Sequence, residues 1–210
     1  MIHMRGLFGN KEPDKILYCY GVDQPLFKDM ARRVKGLRFH EGLPSPDEVK
    51  KFARHGKHRM IVLDDLMSEV SGSADAEKLF TRGTHHMGLS VVYLVQNLLY
   101  QNRHARTISL NCQYMVLFRN LRDSSQVMCL ARQLYPLQPR LLMDAYEDAT
   151  SEPFGYLVIN LHPQFPDDAR RLLTGIFPGE KRAYYKPAGS SRVLHPEKNP
   201  QQDSRPTAGS

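Results

Sequence analysis

The sequence lacks long hydrophobic runs. The longest apolar stretches are Met60–Leu63 and Leu89–Val95, the second interrupted by Ser90. Both are far shorter than the roughly 20 residues that a helix needs to cross a bilayer. The segment from Met1 to Gly6 also lacks the apolar core of a signal peptide. The sequence therefore predicts neither a membrane protein nor a secreted one.

Cysteine is also scarce. The chain has 3 cysteines, at Cys19, Cys112 and Cys129, and no pair has the C-x-x-C spacing. A disulfide framework needs a denser, even set, and a structural zinc site needs closely spaced ligands. We therefore expect an intracellular protein, of the nucleus or the cytoplasm, whose cysteines are small buried hydrophobic residues.

Lysine is absent between Lys78 and Lys181, although the net charge of the whole chain is +7. That stretch carries its positive charge on Arg82, Arg103, Arg106, Arg119, Arg122, Arg132, Arg140, Arg170 and Arg171. The planar guanidinium group makes two parallel hydrogen bonds to a phosphate or a carboxylate, whereas lysine acts as a point charge. The composition therefore favours an acidic partner such as nucleic acid, and the alternative is an ordinary solvated basic face.

Strand patterns alternate with helix patterns along most of the chain. Short apolar runs predict strands over Lys15–Gly21, Leu37–Gly42, Arg59–Leu66, Leu89–Val95, Tyr114–Phe118 and Gly155–Leu161. Helical spacing predicts helices over Pro25–Val34, from Ser45 or Asp47 to about Arg54, over Ser73–His86, over Ser124–Tyr135 and over about Pro139–Thr150. This alternation predicts an α/β fold with a mostly parallel sheet and flanking helices.

The last part of the chain has a different composition. From about residue 185 it is rich in proline, serine, glutamine and charge, with few residues that could form a core. We predict one domain over residues 1–184 and a disordered basic tail over residues 185–210.

Polar residues lie at the carboxyl ends of the predicted buried strands. In parallel sheets, ligands bind at these ends of the strands. These polar residues are Asp64, Asp65, Gln96, Asn97, Arg119 and Asn120. An apolar strand that ends in two carboxylates is the Walker B arrangement of P-loop ATPases. There the first acid holds Mg²⁺, usually through water, and the second orients the attacking water.

Other side chains are suited to phosphate. Gln96 ends the next predicted strand, where an amide can contact a γ-phosphate, although it can equally cap a loop. Arg119 or Arg122 can act as an arginine finger. Arg103 and Arg106 lie in a predicted polar loop and are candidates for contacts with nucleic-acid phosphates.

One motif of this class is missing from the sequence. A P-loop reads G-x-x-x-x-G-K-[ST], and its backbone amides and lysine surround the phosphates. The nearest match is Gly83–Ser90, which has Leu89 in place of lysine and precedes a strand. We therefore exclude it as a phosphate-binding loop.

Several motifs together carry a resemblance to a known family. In chain order they are Ile61–Glu69, Leu79–His86, Leu89–Leu98, Arg106–Asn111, Tyr114–Asn120, Ala145–Thr150 and Ile176–Glu180. Over about residues 16–180 the chain closely resembles the genome-packaging ATPases of virus-like Maverick/Polinton elements and related DNA viruses. These belong to the FtsK/HerA-type P-loop ATPases.

The resemblance implies a RecA-like ASCE core, a homo-oligomeric ring and ATP hydrolysis that drives double-stranded DNA into a capsid, with capsid components as further partners. It implies that Asp64 is the Mg²⁺-linked acid, Asp65 the catalytic acid and Gln96 the polar sensor. Arg119 and Arg122 are the two possible finger positions.

The chain departs from the family by lacking the first strand and the P-loop helix upstream of Ile16. Met87 and Gly88 also stand where relatives have more polar residues. We therefore predict a truncated DNA-packaging ATPase-like protein of viral or mobile-element origin, with weak or no hydrolysis by itself. The alternatives are a non-enzymatic DNA-binding or ring-assembly module and an inactive relic.

Overall fold

The computed structural model describes residues 13–53, 57–83, 87–98, 103–122, 124–163, 170–177, 179–186 and 193–194. The chain divides into two compact units, Met1–Gln113 and Tyr114–Ser210. Each unit has its own sheet.

The first unit is built on a four-stranded parallel sheet. Its strands are β1 (Lys15–Tyr20), β2 (Leu37–Glu41), β3 (Arg59–Asp64) and β4 (Leu89–Leu94), in the spatial order β2-β1-β3-β4. In the central strand β3, residues 60–63 are at most 2% exposed, as a strand covered on both faces requires. These four strands and their parallel arrangement confirm the sequence prediction for this part of the chain.

Helices cover both faces of this sheet. They are α1 (Leu26–Arg33), α2 (Pro46–Phe52), α3 (Met67–Ser71), α4 (Ala74–Lys78) and α5 (Arg103–Asn111). One face packs Tyr18 and Val62 against Phe27 of α1. The other face packs Ile61 and Leu63 with residues of the remaining helices, in a single cluster.

Two helix predictions in this unit need correction. The predicted single helix over Ser73–His86 is a short α-helix that widens into a π-helix over Leu79–Gly83, and residues 84–86 lie outside the described part. Arg103 and Arg106 do not lie in a loop but in the first half of α5. This helix is anchored by Ile108, which is 2% exposed, so a tertiary contact outweighs the polar start of the segment.

The second unit contains an antiparallel sheet. Its strands are β5 (Tyr114–Phe118), β6 (Tyr156–Asn160), β7 (Leu172–Thr174), β8 (Ala183–Tyr185) and β9 (Val193–Leu194), in sequence order across the sheet. Two helices, α6 (Ser124–Leu134) and α7 (Pro139–Ala149), lie between β5 and β6 in the chain. The prediction that β5 and β6 belong to a mostly parallel sheet was wrong, because they pair antiparallel with each other.

The predicted tail lies mostly outside the described residues. Within it, Val193–Leu194 pairs with Ala183 and Tyr184. The domain over residues 1–184 and the disorder beyond it stay predictions. Within the described residues, no helix combines the length and the apolar composition that a membrane span requires.

Candidate functional site

The candidate site lies at the carboxyl end of the parallel sheet. Strand β3 delivers Asp64, which the sheet register places beside Leu94 of β4. Two residues beyond Leu94 comes Gln96, whose side chain is exposed. Parallel strands end at the same edge, so two residues that lie 32 positions apart in the chain meet here.

Asp65 leaves the strand by a sharp turn of the backbone. Its φ is +55°, in the left-handed region that aspartate tolerates better than most residues. The next residue, Leu66, is fully buried and fixes the turn in the core. Asp65 is therefore exposed beside Asp64, with its backbone held on both sides.

A glycine makes this turn possible. The Gly21 N–H donates to the Asp64 carbonyl at 3.1 Å, which ties the end of β1 to the end of β3. A Cβ atom on Gly21 would lie 2.4 Å from the Asp65 carbonyl oxygen, a distance that no ordinary packing allows. Only glycine lets these two backbones approach so closely.

The Asp64 carboxylate is oriented by a tyrosine on the neighbouring strand. The Tyr18 hydroxyl donates to Asp64 Oδ2 at 2.6 Å, and Tyr18 itself is 6% exposed. Burial raises the pKa of the Tyr18 hydroxyl well above its ordinary value, and the hydrogen bond to Asp64 and its negative charge add to this effect. Tyr18 therefore stays a neutral donor, which fixes one oxygen of Asp64 and leaves the other for a ligand.

The two carboxylates and Gln96 lie at an open depression of about 110 Å³. Its lining consists of Asp64, Asp65, Met67, Leu94, Val95 and Gln96. Sites that enclose a drug-sized ligand have volumes of about 300–1,000 Å³. The depression therefore has room for a hydrated cation or a phosphoryl group, while most of a nucleotide would lie outside it.

The donor set suits magnesium better than metals that need a complete protein cage. The described residues contain no group of three or more His, Cys, Asp or Glu that could hold a metal ion. Mg²⁺ commonly binds through one or two carboxylates and keeps several waters or substrate phosphates as its other ligands. Asp64 and Asp65 could provide such carboxylate oxygen ligands at a solvent-accessible edge.

The predicted arginines are spread over both units. Arg119 and Arg122 follow β5 in the second unit, where both are exposed. The Arg119 side chain donates to the Ser151 carbonyl at 3.4 Å, and the Arg122 backbone N–H donates to Asn120 Oδ1 at 3.0 Å. In the first unit Arg106 is exposed on α5, and the side chain of Arg103 lies outside the description.

Sequence reasoning missed Tyr18 as part of the site. Its only sequence signal is its position, two residues before the end of a strand that neighbours the carboxylate strand. That neighbour relation depends on the order β2-β1-β3-β4, which the residue pattern does not reveal.

Fold and site together define an α/β protein with a carboxylate cluster at the carboxyl end of a parallel sheet. No family model, no curated protein and no solved structure matches this chain.

Proposed function

We propose that this chain carries the Walker B and sensor part of a Mg²⁺–ATP site, in a RecA-like ASCE core of the FtsK/HerA-type genome-packaging class. The observation that supports it is the meeting of Asp64, Asp65 and Gln96 at one depression on the parallel sheet. Double-stranded DNA, a homo-oligomeric ring and capsid components are the partners that this proposal implies.

Each side chain has a distinct role in the proposal. Asp64, oriented by Tyr18, would hold the ion through its waters, and Asp65 would orient the water that attacks the γ-phosphate. Gln96 would contact the γ-phosphate. When bound, ATP would supply the phosphoryl group, and Mg²⁺ the positive charge that balances the two carboxylates. Arg119 or Arg122 serves as the finger, and Arg103 and Arg106 contact DNA phosphates.

The absence of a P-loop sequence limits the affinity that we expect. Without that lysine and those amides, the carboxylate edge would hold Mg²⁺, and the triphosphate would be held mainly through the ion. We expect weak binding and little turnover.

Paramagnetic broadening by Mn²⁺, a substitute for Mg²⁺, tests the site directly. With ATP present, the amide signals of Asp64, Asp65 and Gln96 should broaden first, and Asp64→Asn should raise the Mn²⁺ concentration needed by at least about tenfold. Asp75→Asn is the matched control, because Asp75 is an exposed carboxylate on α4 in an ion pair with Lys78. Broadening that starts elsewhere, or is the same in Asp64→Asn, would contradict the proposal.

A non-enzymatic DNA-binding function is the second candidate. It is favoured by the missing P-loop sequence and by the exposure of Arg106, Arg119 and Arg122. It predicts binding to double-stranded DNA that weakens steeply with salt and is unchanged in Asp65→Asn. Loss of DNA binding in Asp65→Asn would exclude it.

A further inference from the structure

The parallel unit carries opposite charges at the two ends of its strands. At the carboxyl edge, β2 ends in Glu41, β3 ends in Asp64, and Asp65 follows. At the amino edge, each of the strands β1, β2 and β3 has a basic residue at its first position, two residues before it, or both: Lys15, Lys35, Lys57 and Arg59. The amino edge is therefore the positive edge of this sheet, and the proposed Mg²⁺–ATP site makes no use of it.

Backbone hydrogen bonds hold the starts of these strands side by side. The Ile16 N–H donates to the Gly36 carbonyl at 3.0 Å, and the Asp14 N–H donates to the His58 carbonyl at 2.8 Å. Each of these four residues is next in the sequence to one of the three lysines. Neighbouring strands lie about 4.8 Å apart, so the starts of β2, β1 and β3 form a backbone row about 10 Å wide. One strand of a DNA duplex has a phosphate about every 3.4 Å of helix axis, so the row spans about three phosphates.

An arginine at the amino edge is buried without a counter-charge. Arg59 is 7% exposed, and its guanidinium carbon lies 5.5 Å from the centre of the Phe52 ring. Its Nε makes no hydrogen bond, and no carboxylate in the described part of the chain forms an ion pair with it. Lys57 meets the Asp14 carboxylate at 4.0 Å, but 59% of the lysine side chain is exposed. A buried cation that the protein itself does not balance favours the approach of an anion.

The amino edge is suited to phosphates more than to bases. Lys35 is exposed, as are Arg33 in the last turn of α1 and Lys51 in the last turn of α2. Proteins that bind single strands stack the bases on aromatic rings. Phe52 packs against the core and against Arg59, so its ring is not an open platform for a base. A duplex presents its phosphates outward, so a row of cations fits the duplex backbone better than a single strand.

We propose that the amino edge of the parallel sheet binds the phosphate backbone of double-stranded DNA, with Lys15, Lys35 and Lys57 at phosphates and Arg59 as a fixed positive charge beside them. The choice of duplex DNA rests on the proposed function, whereas the surface follows from its own charges. Arg59 and Asp64 lie five residues apart on β3, about 17 Å, so DNA and Mg²⁺–ATP would bind at opposite ends of the same strands. One copy provides the whole surface, and every copy in a ring would carry it.

Two matched double variants test the surface by titration of a short DNA duplex at several salt concentrations. The edge variant is Lys35→Gln with Lys57→Gln, and the control is Lys28→Gln with Lys78→Gln, which removes two exposed lysines from α1 and α4. The edge variant should bind the duplex at least about tenfold more weakly at low salt, and its salt dependence should fall by a slope of about 2. The control should change the affinity by less than about twofold, because its lysines contact no phosphate. In the unmodified chain, the amide signals of Lys15, Lys35 and Lys57 should shift first when duplex is added.

Several results would overturn the proposal. They are no duplex binding by the unmodified chain, equal losses in both double variants, and tighter binding to a single strand of the same sequence than to the duplex. An edge variant that loses binding to phosphatidylserine vesicles but keeps its affinity for the duplex would assign the surface to a membrane instead. If the edge variant does not fold, the amide shifts of the unmodified chain decide.

Asp64→Asn separates this inference from the proposed Mg²⁺–ATP site. It should leave the affinity for the duplex unchanged, because about 17 Å exceeds the Debye length of about 8 Å at physiological salt. Weaker DNA binding in the edge variant, without Mn²⁺ broadening at Asp64, would remove the Mg²⁺–ATP site and leave the DNA surface. Broadening at Asp64 with equal DNA affinities in both double variants would do the reverse.

Discussion

The two units use similar apolar strands and arrange them in opposite ways. In the first unit a single helix such as α1 follows β1, and the next strand runs parallel to it. In the second unit β5 is followed by two helices, α6 and α7, with only four residues between them. Strand β6 then runs antiparallel to β5. Similar apolar strands are therefore paired in one direction in the first unit and in alternating directions in the second.

This difference in direction decides where polar residues can meet. In the parallel sheet the residues after β3 and β4 lie at one edge, which brings Asp64 and Gln96 to the same depression. In the antiparallel sheet the residue after β5 lies near the start of β6, so Arg119 reaches the Ser151 carbonyl and not the end of β6. Among the described residues, the parallel unit is the one in which the ends of neighbouring strands line a common depression.

The largest expected losses of stability come from truncating one buried leucine in each sheet. Leu63 of β3 and Leu157 of β6 are both fully buried. Leu63→Ala and Leu157→Ala should each lower the free energy of unfolding by about 3 kcal/mol, because each leaves a cavity. Amide exchange should accelerate in β1, β3 and β4 for the first variant and in β6 and β7 for the second.

This pair of variants tests whether the two units unfold independently of each other. If Leu63→Ala accelerates exchange in β6 as much as in β3, the two sheets unfold as one cooperative unit. The division into two units would then describe geometry but not stability.

Sequence reasoning succeeded where a continuous apolar run predicts a buried strand. Residues 60–63 are four apolar residues in a row, and strands covered on both faces need such runs. It also placed Asp64, Asp65 and Gln96 at strand ends, because glycine and polar residues mark where strands stop. The sequence allows either Ser45 or Asp47 as the cap of α2, and the structure assigns it to Ser45.

Sequence reasoning failed where contacts between residues distant in the chain determine the local structure. Strands β7 and β8 have three residues each, too few to show a period of two. Helix α5 depends on burial of Ile108, and the hydrogen bond from Tyr18 depends on the strand order. None of these leaves a local pattern, because each results from a partner that the segment meets only after folding.

A smaller effect should follow from filling the contact between Gly21 and Asp65. Gly21→Ala places a methyl group 2.4 Å from the Asp65 carbonyl oxygen, so the turn after β3 must move. We expect a loss of about 2 kcal/mol in unfolding free energy, and weaker Mn²⁺ binding at Asp64. Thermal unfolding and the Mn²⁺ titration measure the two consequences.

Gly72→Ala is the control for this substitution. Its added methyl group would lie 3.4 Å from the Ser68 carbonyl oxygen, an ordinary contact, and the backbone there is right-handed. Gly72→Ala should change neither the free energy of unfolding nor Mn²⁺ binding by much. Equal losses in both variants would show that the site does not depend on the approach of β1 to β3.

The smallest effect concerns a helix cap of the parallel unit and its dependence on pH. The Ser45 N–H donates to Glu48 Oε2 at 2.8 Å, the Ser45 hydroxyl donates to the same oxygen at 2.7 Å, and the Glu48 N–H donates back to Ser45 Oγ. The Ser45 hydroxyl first, and its backbone N–H second, hold the pKa of Glu48 below its usual range. In the antiparallel unit, the N-cap residue of α7 is Gln138, whose side chain makes no capping hydrogen bond. A capping box of this kind is therefore a feature of α2 that α7 lacks.

Ser45→Ala should lower the free energy of unfolding by about 1 kcal/mol at pH 7. The folded-state pKa of Glu48 lies below its unfolded value, so its stabilisation is complete above the unfolded pKa and is lost as the pH falls through the folded pKa. The difference between the unmodified chain and Ser45→Ala should therefore shrink as the pH falls below about 4. Ser73→Ala is the matched control, because Ser73 caps α4 by accepting from the Ala76 N–H, with no carboxylate at that position. Its cost should be similar but independent of pH, and a pH-dependent Ser73→Ala would show that general acid destabilisation, not Glu48, causes the change.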